Sequence, residues 1–427
     1  MKNLAGYIGL LLFLLLQGCG ASDSNKAIAQ TADSTDVIAS ANTKIPPRDL
    51  KRYLSEIKSF VDSTLQNTHM NGTILVAKNG QVIYEQYQGY NNPRVKKDSI
   101  TPNTSFHLAS VSKTFTGMAI LKLNELGLLN IDDSVSKYLP GFPCVGVTVK
   151  TLLNHRSGIP KYDHYMENLG WDKRRLVTNQ DVLDFIKERY KDIRVGRPDR
   201  GFSYSNTNYA LLALIIEKVT GLKYGEYLKK QFFEPLGMKD TYVFTMSDSA
   251  RYLASYYYSG RPYAFDYLDL VYGDKNIYST VRDLLKWDQA LHSDTLFSKK
   301  TLEMAYSGYS FEKPGTHNYG LGWRMYLLKN GKKLVYHNGW WHGNRTAFYR
   351  LLDENVTIVA LCNNDYKRVY TVKEMADIFG DYMQSRDRDS DDENGAVTVI
   401  SKKQPRKKQV AAVHKKKTST KRHTAKK

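Results

Sequence analysis

The order of the secondary-structure signals is the feature that most constrains how this chain can fold. An Asn-Gly pair between two apolar-rich segments predicts a β-hairpin at residues 73–87. Four more strands are predicted near the other end, at 319–327, 333–337, 346–352 and 356–362. Strands at both ends, with a helical block between them, indicate an α+β fold. One antiparallel sheet is then assembled from both ends of the chain, flanked by helices and joined to a helical subdomain.

Apolar residues at helical spacing predict the helices of this block and of the two ends. Gly127 and Gly221 follow two of the periodic segments and are typical helix stops, while Thr280 and Asp283 form a typical helix start. The predicted helices are 48–65, 110–126, 180–190, 206–220, one from about residue 280, and 371–383.

The first residues have the form of an export signal. One lysine precedes an apolar run, residues 8–16, that is shorter than the ~20 residues of a membrane-spanning helix. The run ends in Leu-Gln-Gly-Cys, which resembles a bacterial lipobox with Cys19 as the lipidated residue. We therefore expect a lipoprotein signal peptide (1–18), a flexible tether (19–47) and a lipid-anchored domain in the bacterial cell envelope, periplasmic or on the cell surface. An uncleaved anchor is the alternative, and it also places the domain outside the cytoplasm.

The basic charge of the chain is concentrated in a C-terminal tail. The formal net charge is +19, yet residues 401–427 hold 12 Lys or Arg and no acidic residue, which leaves 50 basic against 43 acidic residues elsewhere. We expect a folded domain at 48–384 and a disordered charged tail at 385–427, strongly basic from 401. The tail suits contact with anionic envelope polymers, and the export signal argues against a nucleic-acid partner. A tail that only solubilises the protein is the alternative.

Residue usage excludes several classes of protein. Three cysteines are too few for a disulfide scaffold. The ten histidines include no His-Glu-x-x-His and no Cys-x-x-Cys occurs, so we predict neither a metal site nor a cofactor. The Gly-x-Ser-x-Gly elbow of the α/β-hydrolases is absent.

Ser-x-x-Lys is the first pattern that carries chemistry, and it occurs four times, starting at Ser55, Ser110, Ser134 and Ser310. Only Ser110 stands at the start of a long helix with apolar residues on all its inner turns. Residues three apart on a helix share one face, which brings Lys113 close to the serine hydroxyl. A hydroxyl needs an adjacent base to become a nucleophile, and a desolvated lysine can serve as that base.

Two further patterns follow in the chain. Tyr204-Ser205-Asn206 stands directly before a predicted helix, and a phenol beside a lysine ammonium is a competent general base. The amide of Asn206 is suited to hold both the lysine and a substrate carbonyl. His337-Asn338-Gly339 ends a predicted strand and precedes Trp340. Alone, each of these patterns is more often a packing feature than a site.

Together the three patterns resemble the serine β-lactamase and penicillin-binding protein superfamily. Tyrosine at the second motif resembles the class C β-lactamases and their esterase and D,D-peptidase relatives. The resemblance spans about residues 50–383 and implies a β-lactamase/transpeptidase-like fold. It implies catalysis by Ser110, Lys113 and Tyr204 through an acyl-enzyme. It also implies substrate binding by four residues, with an oxyanion hole formed by the N–H groups of Ser110 and Trp340. The four are Asn206, His337, Gly339 and Trp340.

The resemblance leaves the substrate open among esters, amides, lactams and peptidoglycan-derived groups. Many β-lactamases carry lysine where this chain has His337, so a permanent positive charge is missing from the motif. This favours an esterase or peptidase over an efficient β-lactamase. The alternative function is a penicillin-binding or peptidoglycan-sensing lipoprotein that becomes acylated with little or no turnover.

Overall fold

The computed structural model describes residues 44–65, 68–293 and 295–383. The predicted signal peptide with Cys19, most of the tether and the tail lie outside these described residues. The α-helices within them are α1 (Pro47–Thr64), α2 (Ser112–Glu125), α3 (Val135–Tyr138), α4 (Val149–Leu153), α5 (Tyr162–Asn168), α6 (Asn179–Arg189), α7 (Asn206–Thr220), α8 (Tyr224–Leu228), α9 (Val281–Ala290) and α10 (Lys299–Ala305). Single turns of other helix types are Ala109–Val111, Lys229–Phe233 and Met246–Asp248, and a longer 3₁₀ helix is Lys367–Ile378.

The β-strands of the described residues are β1 (Gly72–Lys78), β2 (Gln81–Gln88), β3 (Tyr90–Asn92), β4 (Lys97–Ser99), β5 (Phe106–His107), β6 (Tyr242–Val243), β7 (Ile277–Ser279), β8 (His317–Tyr319), β9 (Arg324–Leu327), β10 (Lys333–Trp341), β11 (Asn344–Leu351) and β12 (Val356–Cys362). Seven of them form one antiparallel sheet in the order β2-β1-β12-β11-β10-β9-β8. The N-terminal hairpin pairs with the last strand, so the sheet is assembled from both ends of the chain. This confirms the predicted α+β architecture.

The single strand predicted at 319–327 is wrong. The chain forms two antiparallel strands there, β8 and β9, joined by Gly320-Leu321-Gly322-Trp323. Gly322 has φ +97°, a left-handed conformation that glycine adopts without steric cost. A Cβ on Gly320 would lie 2.1 Å from the carbonyl oxygen of Ala305, so only glycine fits this close approach. The two glycines turn the chain back instead of extending it.

The end of the folded domain also differs from the sequence prediction. The helix expected at 371–383 is a 3₁₀ helix that begins earlier, at Lys367, and ends at Ile378. None of the helices in the described part of the chain is long and apolar enough to cross a membrane.

Two apolar cores lie on opposite faces of the sheet. The smaller core packs α1 and the 3₁₀ helix Lys367–Ile378 against one face, around residues such as Ile57 and Tyr349. The larger core joins the other face to the helical subdomain, with α2 and α7 at its centre. Eleven of the 14 residues of α2 are buried, which explains why this helix is apolar on every side. The turn Ala109–Val111, directly before α2, meets the sheet at β10 and β11, where the motif residues converge.

Candidate active site

Ser110 lies in the turn Ala109–Val111 that leads into α2, so the helix proper begins two residues later than predicted. Ala109 has φ +49°, an uncommon left-handed conformation for a residue with a side chain. Lys113, in the first turn of α2, is fully buried, and its Nζ donates to Ser110 Oγ at 3.0 Å. The first motif therefore forms the serine–lysine contact that its spacing predicts.

Two further acceptors hold Lys113 in place. Its Nζ donates to Asn206 Oδ1 at 3.0 Å and to the backbone oxygen of Asp274 at 2.7 Å. Asn206 is the first residue of α7, which packs against α2. The first and second motifs, 93 residues apart in the chain, thus meet at one ammonium group.

Tyr204 completes the helical side of the site. Its side chain is buried at 6% exposure, and the centre of its ring lies 5.0 Å from Lys113 Nζ. The guanidinium of Arg324, on β9, lies 4.9 Å from the centre of the same ring. Tyr204 therefore lies close to both a lysine from the helical subdomain and an arginine from the sheet.

A buried histidine holds the backbone on both sides of Tyr204. The carbonyl oxygen of His155 accepts from Ser203 N at 2.8 Å, and its Nδ1 accepts from Ser205 N at 3.2 Å. Burial lowers the pKa of His155 well below its usual value, and the charge of Lys113 adds to this. A neutral ring keeps the Nδ1 lone pair available as an acceptor. His155 thus fixes the peptide that carries the second motif.

The third motif lies on β10, on the sheet side of the site. His337 is fully buried, its Nε2 lies 3.2 Å from the hydroxyl of Tyr319, and its Nδ1 lies 2.7 Å from the carbonyl oxygen of Asn338. Burial and the charges of Arg324 and Lys113 lower the pKa of His337 well below its usual value. The imidazole is therefore neutral and engaged within the protein at both nitrogens.

Gly339 marks the point where β10 approaches the nucleophile. A Cβ at this position would lie 2.4 Å from the carbonyl oxygen of Leu108 and 3.0 Å from Ser110 N. Glycine is required here because any side chain would push the strand away from the serine turn. Trp340 follows, and its side chain is 40% exposed. The backbone of β10 at Gly339 thus lies directly beside the backbone of the serine turn.

Sequence reasoning missed three contributors to this site. Asp274 contributes a backbone carbonyl, for which no residue type gives a signal. His155 lies in a stretch that resembles the family, but nothing in the pattern shows that it clamps the second motif. Arg324 is one of 62 basic residues, and only the β8–β9 turn brings it to Tyr204.

Groups of three or more metal-binding side chains do not occur among the described residues. The site instead brings a hydroxyl, a buried amine and a phenol into one cluster. These are the groups that acyl transfer to serine needs.

A family model described as Beta-lactamase matches residues 57–378 of the chain, three quarters of its length. The chain belongs to the beta-lactamase family. Among curated relatives of this family, penicillin-binding protein 4* of Bacillus subtilis is 35% identical over 327 residues, covering 72% of this chain and 71% of the relative. A putative penicillin-binding protein, PbpX, of the same organism is 31% identical over 338 residues, covering 75% of this chain and 80% of the relative.

Solved structures share the beta-lactamase fold of this chain. The octameric penicillin-binding protein homologue from Pyrococcus abyssi superposes with a TM-score of 0.65 at 28% identity, covering 76% of this chain and 77% of the homologue. A D-amino acid amidase from Ochrobactrum anthropi gives a TM-score of 0.62 at 23% identity, covering 78% and 97%, which shows a common fold. The chain is thus a serine hydrolase of the beta-lactamase-related family.

Proposed function

We propose that this enzyme hydrolyses an amide, ester or lactam carbonyl through an acyl-enzyme on Ser110. The observation that carries the proposal is the placement of Lys113. Its fully buried Nζ lies 3.0 Å from both Ser110 Oγ and Asn206 Oδ1. An amine buried against a hydroxyl is placed to act as a base for that hydroxyl.

The proposed reaction has two steps. The Lys113–Tyr204 pair removes the proton of Ser110, and Oγ attacks the carbonyl carbon. The oxygen of the tetrahedral intermediate takes hydrogen bonds from the N–H groups of Ser110 and Trp340. Tyr204 returns the proton to the leaving group, which departs and leaves an ester on Ser110. Water, activated by the same pair, hydrolyses this ester and restores the enzyme.

We propose a substrate that carries a carboxylate beside the scissile bond. The sequence alone favours an esterase or peptidase because His337 replaces a permanently charged residue. The position of Arg324 supports a different source for that charge, since its guanidinium lies against Tyr204, the proposed proton donor to the leaving group. An arginine is always charged and is suited to bind carboxylates. Peptides with a C-terminal D-amino acid and β-lactams both present such a carboxylate.

A substrate pair tests this choice. A short D-alanyl-D-alanine peptide and its C-terminal amide differ only in the carboxylate charge. We expect Arg324→Gln to lower kcat/KM for the acid by about tenfold relative to the amide, which is about 1.4 kcal/mol. Arg282→Gln, at a half-exposed arginine paired with Glu85, is the control and should leave the ratio unchanged. An unchanged ratio in Arg324→Gln would remove the carboxylate from the proposal.

A penicillin-binding protein that acylates without turnover is the second candidate, and the names of the two curated relatives favour it. Pre-steady-state kinetics with a chromogenic cephalosporin separate the two functions. An initial burst of one equivalent followed by steady turnover supports the hydrolase. A burst with no later turnover, together with no hydrolysis of the peptide or of nitrophenyl esters, supports the binding protein.

We also propose that Cys19 carries a lipid that anchors the enzyme to the cell envelope, with the substrate coming from peptidoglycan. The support is the lipobox-like sequence at residues 16–19 and the basic tail, which suits anionic envelope polymers. Labelling cells with a palmitate analogue should mark the wild type, and Cys19→Ser should release unlabelled enzyme from membranes. Membrane retention of the unlabelled variant would contradict the anchor.

A further inference from the structure

A chain of buried hydrogen bonds runs from the serine turn to the end of β10. It begins at Ala109, whose N–H donates to His107 Nδ1 at 3.0 Å. The other ring nitrogen, His107 Nε2, lies 2.9 Å from Asn276 Oδ1. His107 and Asn276 are each only 2% exposed.

The direction of these bonds follows from the partners of Asn276. Its Nδ2 donates to the backbone oxygens of Asp269 at 2.6 Å and Val271 at 2.9 Å, so its Oδ1 faces the histidine as an acceptor. His107 therefore carries its proton on Nε2 and accepts at Nδ1. Burial lowers the pKa of His107 to about 4, which keeps the ring neutral and the acceptor available at neutral pH.

The chain of hydrogen bonds continues from Asp269 to the hairpin that follows the third motif. Its Oδ1 accepts from Trp341 Nε1 at 2.6 Å and from His342 Nε2 at 2.9 Å. Burial disfavours the Asp269 carboxylate, but these bonds hold its pKa below the usual range. Trp341 and His342 directly follow Trp340, so the carboxylate fixes the strand end that carries the second oxyanion donor.

The backbone conformation of Ala109 depends on its hydrogen-bond partners. A left-handed alanine is strained, and such residues persist where the surroundings hold them. The neighbouring Leu108 is held on two sides, because its N–H donates to Ile277 O on β7 and its carbonyl accepts from Thr346 Oγ1 on β11, both at 2.8 Å. The N–H of Ala109 has His107 as its acceptor, and the orientation of the next peptide, with the N–H of Ser110, follows from it.

We propose that His107 is a positioning residue, which aligns the two N–H donors of the oxyanion hole through Ala109 on one side and through Asn276 and Asp269 on the other. This inference rests on the proposed acyl-enzyme function and adds a residue to it. His107 touches no substrate. It sets the distance between the serine turn and β10, and a misplacement of this kind lowers the rate of the chemical step more than it weakens substrate binding.

Amide replacements of His107 separate its two nitrogens. Asparagine places an oxygen near the position of Nδ1 and can accept from Ala109 N–H, whereas glutamine reaches the position of Nε2 and contacts Asn276 instead. Leucine removes both bonds. For hydrolysis of p-nitrophenyl acetate we expect His107→Leu to lower kcat by about tenfold to 100-fold with KM changed less than about threefold. His107→Asn should recover most of the rate, and His107→Gln should recover less.

A transition-state probe distinguishes alignment from loss of folding. An alkylboronic acid bonds to serine Oγ and places an oxygen in the oxyanion hole, so its affinity should fall in parallel with kcat across the three variants. His292→Leu, at a largely buried histidine beside Asp288, is the matched control and should change stability without changing kcat or boronate affinity.

The outcomes distinguish failure of the proposed function from failure of the positioning role. If the wild type shows no acylation by fluorescent penicillin and no ester hydrolysis, the proposed function fails. If the wild type is active and a folded His107→Leu retains its kcat, the positioning role fails alone. Should His107→Leu not fold, the Asn and Gln variants decide, and equal rates in these two would overturn the proposal.

Discussion

The chain contains the tetrapeptide Ser-Val-Ser-Lys twice, and the two copies have different surroundings. The copy at Ser110 spans the turn Ala109–Val111 and the start of a 14-residue helix in the larger core, and its Lys113 is fully buried among oxygen acceptors. The copy at Ser134 begins the four-residue helix α3 on the surface. Its Lys137 has a side chain 63% exposed that pairs with Asp133. The same four residues thus form a buried serine–lysine hydrogen bond only where a buried helix follows.

The hydrogen-bond partners of the two lysines also differ. The hydrogen bond from Lys137 to Asp133 raises the pKa of Lys137, which keeps it protonated. Lys113 donates to an amide oxygen, a backbone carbonyl and the serine hydroxyl. The surroundings of the lysine, and not the motif alone, therefore distinguish the two copies.

The largest expected effect distinguishes the two serines. Ser110→Ala should lower kcat for p-nitrophenyl acetate by at least about 1,000-fold, because no other group can form the acyl-enzyme. Ser134→Ala should remain within about twofold of the wild type. Comparable losses in both variants would show that the two copies do not differ in the way their surroundings indicate.

The two lysines give the next largest difference. Lys113→Met keeps the volume of the buried chain but removes the base, so kcat should fall by about 100-fold or more. It also leaves Asn206 Oδ1 and the Asp274 carbonyl without this donor, and we expect a loss of about 1–3 kcal/mol in the free energy of unfolding. Lys137→Met should change neither quantity by a measurable amount, since exposed ion pairs contribute little. Urea unfolding beside steady-state kinetics gives both values.

The pH dependence of stability should follow the buried site and not the exposed copy. Burial lowers the pKa values of His107, His155 and His337. At mildly acidic pH the unfolded chain therefore binds more protons at these histidines than the folded protein does. The free energy of unfolding should therefore fall as pH decreases from about 6.5 towards 4, by at most about 1.4 kcal/mol per pH unit for each histidine. His107→Asn should flatten this slope, and Lys137→Met should leave it unchanged. Stability that is constant or increases over this range would contradict the assignment of neutral histidines.

The smallest effect concerns the basic tail. A chain that ends at Asp392 should keep its activity on p-nitrophenyl acetate within about twofold and lose salt-sensitive binding to anionic polymers. Full-length chain measured at low and high salt is the control. Unfolding of the shortened chain would show that the folded domain extends beyond residue 384.

Much of the fold follows from local signals in the sequence. The hairpin β1–β2 has its Asn79-Gly80 turn, and α7 begins and ends at the expected residues because Gly221 stops it with φ +71°. The β8–β9 turn escaped prediction because alternation of apolar residues continues through it. Gly320 is required by a close approach to Ala305 and Gly322 by one to the backbone of Lys113, and both contacts exist only in the folded protein.

Some contacts of the site also follow from local sequence signals, and others depend on tertiary packing. The Ser110–Lys113 pair follows from helix geometry, and Asn206 from its motif. The carbonyl of Asp274 and the charge of Arg324 reach the site through tertiary packing, and neither residue type marks them. His337 shows the converse case, since its motif predicts contact with substrate, whereas its ring is held by Tyr319 and Asn338. The motif therefore predicts Ser110 as the nucleophile, whereas the groups around it are known only from the tertiary packing.

Mapping the acylated residue tests the central claim most directly. The wild type is treated with a fluorescent penicillin, digested and analysed by mass spectrometry, with Ser110→Ala and Ser134→Ala treated alongside. We predict one acyl adduct, on the peptide that contains Ser110, absent from Ser110→Ala and unchanged in Ser134→Ala. An adduct that persists in Ser110→Ala, or that lies on the Ser134 peptide, would contradict the assignment of Ser110 and Lys113 as the reactive pair.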